Sequence, residues 1–322
     1  MRRRAFLLGG VAAAAAARTA EAQRAPRTAR LGWLTTGDTF PRHYFDEEMA
    51  RLGWVEGRNL TVERRVTGPD PARRNAMIAE LIAVQPDLIV AGGTTDLVPL
   101  RAATATIPIV VVTGSDLVES GFVETLARPG GNVTGLTVLG RELDAKRLEL
   151  VRELLPAATR VSMLGIATLP TYPPRVAAAA TTAHALGLAV SGRMLTQPAD
   201  LEGAFAAAAA EGDHAMLVPY NALTFENRPL VIAMAARFRL PAVYELREYA
   251  AEGGLLSYGA VYREYFERAA SLADKILKGT SPAVLPVERP TKFTLVVNLR
   301  AARELGLPIP PALLARADEV IE

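Results

Sequence analysis

No cysteine occurs among the 322 residues, which excludes disulfide bonds and thiolate chemistry. Histidine is nearly as scarce. His43, His184 and His214 are the only three, and their scatter lacks the spacing of metal ligands, so no metal site is expected. Charged residues make up only 22% of the chain. The short motifs of several enzyme classes are missing too: there is no G-x-S-x-G elbow, no phosphate loop ending in Gly-Lys-Ser/Thr, no G-x-G-x-x-G fingerprint and no H-E-x-x-H. Neither a cofactor nor a catalytic base is singled out. Paired carboxylates of the glycosidase kind leave no local signature in a sequence.

What is present is apolar and punctuated. Half of the residues are hydrophobic, with 25 glycines and 22 prolines, a globular composition with enough chain for two cores. The first 22 residues stand apart. Arg2, Arg3 and Arg4 precede an apolar, alanine-rich stretch that ends at Ala20-Glu21-Ala22, the pattern of a cleaved secretory signal. Arg3-Arg4-Ala5-Phe6-Leu7 also resembles a twin-arginine export motif. A buried N-terminal helix is the competing reading, and cleavage before Gln23 is expected. Residues 1–22 hold four arginines and one glutamate, so their removal takes the net charge from +2 to −1. The remaining chain gives no electrostatic support for a nucleic-acid partner, and with no later apolar run of membrane-spanning length it is expected in the periplasm.

Beyond residue 23, short apolar runs alternate with amphipathic stretches. Strands are expected at 29–34, 59–64, 87–91, 109–112, 133–138, 160–164, 189–194, 214–218, 241–244, 255–258 and 292–297. Helices are expected at 44–52, 73–84, 145–155, 176–186, 201–211, 229–238 and 262–277. Several strands are wholly apolar and flanked by Pro or Gly, as in parallel sheets covered on both faces. The alternation implies an α/β fold of doubly wound layers. So many strands divide more naturally into two sheets than one. Lobe 1 is placed at 28–134 plus 259–290, and lobe 2 at 139–255 plus 295–322.

Open α/β sheets bind ligands where the carboxyl ends of strands meet loops and helix N-termini. Those positions collect Thr36, Thr94, Thr95, Thr113, Ser115, Asp116, Tyr220, Asn221, Tyr244, Glu245 and Tyr258. A helix starting near Thr95 offers unpaired N–H groups to a carboxylate, and Gly92-Gly93 allows close backbone approach. Alternatively, Thr94 or Thr95 simply caps that helix. Asp116 or Glu245 would face a ligand amine. Against this, Asp116-Leu117-Val118-Glu119 has capping-box spacing, and Glu245 could be a solvated carboxylate paired with Arg247. The tyrosines suit stacking on a flat ligand, yet each also reads as a core-edge residue.

Several segments together carry a family resemblance: LGWVEGRNLTVERR (52–65), PDLIVAGGT (86–94), IPIVVV (107–112), LARPGGNVTGLT (126–137), KRLELVRELLP (146–156), LPAVYELREYAAEGGLLSYG (240–259), ADKILKG (273–279) and the C-terminal run 286–322. In this order they resemble the solute-binding proteins of ABC importers, in the family with tryptophan- and tyrosine-binding members. The resemblance implies a type I periplasmic binding fold, two lobes joined by three crossover strands around a small ligand. It places the family's Gly-Thr on Gly93-Thr94-Thr95 and its Asp-Pro-Val on Asp116-Leu117-Val118, where the proline is lost. The family's polar pair falls on Tyr220-Asn221, a poor match to the aromatic amino-acid binders.

The expected function is therefore capture of an amino-acid-like solute, aromatic amino acids among the candidates, by a monomer that delivers it to an ABC permease without chemistry. The alternatives are an exported two-lobed enzyme using Glu245 or Asp116 as base, and a sensing subunit that reports ligand without transport.

Overall fold

The computed structural model describes residues 28–37, 42–68, 70–113, 116–137, 140–167 and 172–322; the expected export signal lies outside them. The first sheet comprises β1 (Ala29–Thr35), β2 (Leu60–Val66), β3 (Leu88–Gly92), β4 (Ile109–Thr113) and β5 (Val133–Thr137). Their spatial order is β2-β1-β3-β4-β5, parallel throughout. β4 and β5 are buried along their entire length, which is why they read as unbroken apolar runs. Local signals start the helices between them. Asp70, for example, accepts from the backbone of Ala72 and Arg73 at 3.1 and 3.3 Å, and Pro71 occupies the first turn of the helix Pro71–Ala83.

The second sheet has seven strands: β6 (Arg160–Ile166), β7 (Ala189–Leu195), β8 (Ala215–Val218), β9 (Ala242–Tyr244), β10 (Leu256–Ala260), β11 (Phe293–Asn298) and β12 (Glu319–Ile321). They run in the order β12-β11-β10-β9-β8-β6-β7. Two features differ from the sequence expectation. β12 extends the sheet beside β11, and β11 runs antiparallel to β10.

The chain passes between the sheets three times. From β5 it enters the helix Gly140–Leu154, which packs against β10. From β10 it enters the helix Tyr262–Leu277, which returns to the first sheet and packs on β3, β4, β5 and the helix Arg42–Arg51. The third passage runs beside β5, where the Glu288 N–H donates to the Gly135 carbonyl at 2.9 Å and the Thr137 N–H to the Glu288 carbonyl at 3.0 Å. It then joins β11.

Alternate residues of each strand feed opposite faces. Leu34, Ile89 and Val111 form one cluster with Leu97 and Leu100. Leu31, Trp33, Val90 and Val110 face the other way, into a cluster that continues through Tyr265 and Phe266 to Met216, Val218 and Tyr244 of the second sheet. Its bridge is the helix Tyr262–Leu277, which buries Tyr262, Tyr265, Phe266, Ala269, Ala270 and Ala273 along one face. The architecture is α/β with two sheet lobes, as expected from the sequence.

Candidate ligand-binding site

On the first lobe the candidate residues gather at the ends of β1, β3 and β4. The helix Thr94–Ala103 begins directly after Gly93, whose φ of 100° makes the turn and which is itself the N-cap. Neither threonine caps the helix, so that alternative is set aside. The Thr94 hydroxyl lies 2.6 Å from that of buried Thr113, and Thr95 follows, half-buried. Two hydroxyls thus stand at a helix N-terminus, a setting that favours an anionic group.

Thr36 is tied to this helix by a residue the sequence reading passed over. Asp96 is fully buried and accepts from the Thr36 hydroxyl at 3.0 Å, the Thr67 hydroxyl at 2.9 Å and Arg74 Nε at 3.2 Å. Burial pushes its carboxyl up, and the Thr67, Thr36 and Arg74 donors pull the other way. Asp96 joins the ends of β1, β2 and β3. Its position in the first helical turn was the available signal.

Asp116 behaves as its capping-box spacing allowed. One carboxylate oxygen, Oδ1, accepts from the backbone of Val118 and Glu119 at 2.8 and 3.0 Å. The other, Oδ2, lies 3.9 Å from Arg289. Ser115 lies outside the described residues.

On the second lobe the picture changes more. Tyr220 and Asn221 follow β8. Asn221 is buried and caps the helix Ala222–Glu226 by accepting from the Thr224 N–H at 2.8 Å, while its amide donates to the Tyr172 hydroxyl at 3.3 Å. The Tyr172 hydroxyl donates to the Tyr220 carbonyl at 3.2 Å. The half-buried Tyr220 ring packs edge-on against Phe225 and against Tyr262 at the second passage between lobes, with centroids 5.5 and 5.3 Å apart. Tyr258 stacks on Phe293 at 6.2 Å.

Tyr244 requires a correction. It was expected to stack on a ligand, but its ring is 1% exposed and stacks on Tyr249 at 4.7 Å inside the core. It is still within β9, where the strand pleat directs it inward.

Glu245 requires another. It is neither solvated nor paired with Arg247, which binds Glu319 instead. Glu245 is buried, with Arg175 Nη2 at 3.2 Å, Arg147 Nη1 at 3.4 Å and the Tyr220 N–H at 3.0 Å. Burial alone would raise its carboxyl, but Arg147 and Arg175 outweigh that and hold it below its ordinary range. A neutralised carboxylate of this kind is a poor counter-ion for an amine and a poor base near neutrality. Asp144 completes the cluster, 2.7 Å from Arg147 Nη1 and bound by Arg175 through Nε and Nη2 at 2.5 and 2.9 Å. Asp144, Arg147 and Arg175 were not anticipated; the i, i+3 spacing of Asp144 and Arg147 on an otherwise amphipathic helix was their one local trace.

The two lobes touch at the rim. Gly37, just past β1, abuts the helix Ala222–Glu226: a Cβ there would lie 1.8 Å from Glu226 Oε1 and 3.4 Å from Ala222 Cβ. The contact joins the segment after β1 on one lobe to the Asn221-capped helix after β8 on the other.

Comparison with known proteins agrees with this architecture. A tyrosine-binding protein of Clostridioides difficile (strain R20291) is 24% identical over 263 residues, covering 82% of this chain and 75% of the relative. A conserved domain protein from Vibrio cholerae O1 biovar El Tor is 25% identical, with a TM-score of 0.85 over 91% of this chain and all of its own. An ABC domain from Streptococcus pneumonia in complex with L-Trp is 22% identical, with a TM-score of 0.83 over the same shares. The family model described as ABC transporter substrate binding protein matches residues 42–321. The chain belongs to the ABC transporter substrate binding protein family.

Proposed function

We propose that the protein is a periplasmic receptor that encloses one small, amino-acid-like solute between its lobes and passes it unaltered, as a monomer, to an ABC permease. The observation that carries this reading is a contact between strand-end segments of the two lobes, Gly37 after β1 against Ala222 and Glu226 after β8. Pockets formed in this way bury most of a small ligand and orient it with a few polar groups.

In this reading the N-terminus of the helix Thr94–Ala103, with the Thr94, Thr95 and Thr113 hydroxyls, takes the solute carboxylate. Asp116 Oδ2 takes the amine in place of its 3.9 Å contact with Arg289, since Oδ1 is committed to its own turn. Tyr220 and Tyr258 border the apolar part. Tyr244 drops out as a core residue, and Glu245 becomes a support behind the wall. The tyrosine-binding and L-Trp-bound relatives make aromatic amino acids the first probes to try. The depressed carboxyl of Glu245 weighs against the enzyme alternative, in which it would serve as base.

The test is mass spectrometry of the small molecules released by denaturing the purified protein, followed by thermal shift with the compound found, L-tryptophan and L-tyrosine. An intact amino-acid-like solute that raises the melting temperature is expected. Conversion of that compound by the protein, or no stabilisation by any of the three, overturns the reading.

A further inference from the structure

Arg147 is fully buried and connects two parts of the molecule that ligand-driven closure would have to coordinate. Its Nε donates to the Tyr258 carbonyl at 2.8 Å. Tyr258 belongs to β10, and the chain leaves that strand at Ala260 to cross to the helix Tyr262–Leu277 of the first lobe. Arg147 Nη1 binds Asp144 at 2.7 Å and lies 3.4 Å from Glu245 Oε2. The same Oε2 accepts the Tyr220 N–H at 3.0 Å. A continuous polar path therefore runs from the crossover, through one guanidinium and one carboxylate, to the candidate cleft wall.

The packing around this path is tight. A Cβ at Gly259 would lie 1.9 Å from the Glu245 carbonyl oxygen and 3.5 Å from Arg147 Nη2. Yet Nη2 itself is buried with no hydrogen-bond partner among the described residues. Burying an ion pair is seldom the most stable way to fill a core, and an unsatisfied guanidinium N–H adds a further cost. Packing alone would be served better by an aliphatic side chain. Fixing one arrangement of the joint against the wall is a function that an aliphatic residue cannot perform.

We propose that Arg147 is a positioning residue that links the setting of the second crossover to the Tyr220 wall, so that a solute held by that wall also sets the crossover. The inference deepens the receptor reading and rests on it. When the crossover shifts, the Tyr258 carbonyl carries Arg147 with it, and Arg147 carries Glu245 away from the Tyr220 N–H. Arg175 braces the cluster from the other side through Asp144 and Glu245.

The test is residue-resolved hydrogen exchange on the ligand-free protein and on the protein with L-tryptophan. Arg147→Lys keeps the charge and loses the planar fork. It is expected to speed exchange by about tenfold or more, a shift of one factor of ten per 1.4 kcal/mol of opening, at the Tyr220 amide and at amides 259–262 together, with β1, β3 and β4 unchanged. Glu245→Gln is expected to speed exchange at the Tyr220 amide alone. An Arg147→Lys effect confined to one of the two segments, or spread over the whole second sheet as a structural role would give, overturns the proposal. In the wild type L-tryptophan is expected to protect both segments, and in Arg147→Lys only the first. If L-tryptophan binds neither protein, the receptor reading for that probe fails, and the ligand-free comparison still decides the role of Arg147.

Discussion

The rim contact at Gly37 allows closure to be perturbed without touching the ligand or either core. Gly37 lies beyond β1, and a Cβ added there would meet Glu226 Oε1 at 1.8 Å, Glu226 Cδ at 2.9 Å and Ala222 Cβ at 3.4 Å. The two Glu226 atoms are the far end of a flexible side chain, so Gly37→Ala is accommodated by displacing that side chain, at about 0.5–1.5 kcal/mol if it is pushed off its rotamer. Gly37→Leu places three further carbons against Ala222, where the first is already in contact. Overpacking of this kind costs about 1–3 kcal/mol, and here it acts only while the rim is shut. At 1.4 kcal/mol per factor of ten, affinity for a solute that requires closure should fall about 5- to 150-fold in Gly37→Leu, and by roughly tenfold or less in Gly37→Ala. Calorimetry with L-tryptophan or L-tyrosine measures the affinity, and solution scattering measures the closure. The ligand-free melting temperature should not move, because the side chain joins no core. Wild-type affinity and full compaction in Gly37→Leu would show that the rim contact is no part of the bound state.

Other residues give separate tests. Tyr244→Phe should leave solute affinity within about twofold, whereas Tyr244→Ala should cost about 3–5 kcal/mol of stability in chemical denaturation as a buried aromatic; Tyr220→Ala should cost less stability than Tyr244→Ala, its ring being half-buried against Phe225 and Tyr262, and weaken the solute by about tenfold or more. Asp116→Asn should weaken an amine-bearing solute and leave the desamino analogue unaffected, a comparison made by competition binding. Gly135→Ala should destabilise the first lobe by at least ~2 kcal/mol, since φ is 146° and the new Cβ would lie 2.0 Å from the Val111 carbonyl oxygen; denaturant titration followed by a probe in that lobe reports it. Glu245 has a folded-state carboxyl held below its ordinary value of 4.5. Its contribution is therefore complete above that value and lost as pH falls through it toward the folded-state value. Glu245→Gln should flatten the acid side of the melting-temperature profile and leave the profile's slope at pH 6–8 unchanged.

The strands were legible because most are buried on both faces, so apolar runs such as Ile109 to Val112 carry the signal without alternation. β12 was not, for the opposite reason. Glu319-Val320-Ile321 is a three-residue edge strand, partly exposed along its length, and nothing in so short a stretch marks pairing. The reversed direction of β11 was equally hidden, since direction follows from the path of the third passage and not from composition.

At the site, strand-end position found the neighbourhood but not the orientation of its side chains. Tyr244 ends an apolar strand, as a ligand residue would, but the pleat sends it to Tyr249. Glu245 and Arg247 are close in sequence, yet both find their partners far along the chain, Arg147 and Arg175 for one and Glu319 for the other. Asp96 stood next to two candidate threonines and was masked by an amphipathic pattern that did not require it. The spacing at Asp116 anticipated half of what is there: its carboxylate accepts from Val118 and Glu119, but in a turn and not a helix, and Glu119 pairs with Arg141.

The most direct test of enclosure without chemistry is titration calorimetry of residues 23–322 with the solute recovered from the protein, combined with chemical analysis of that solute afterwards. One solute bound per chain, saturably, and recovered unchanged is the expected result. Heat without saturation, or recovery of an altered compound, would contradict it.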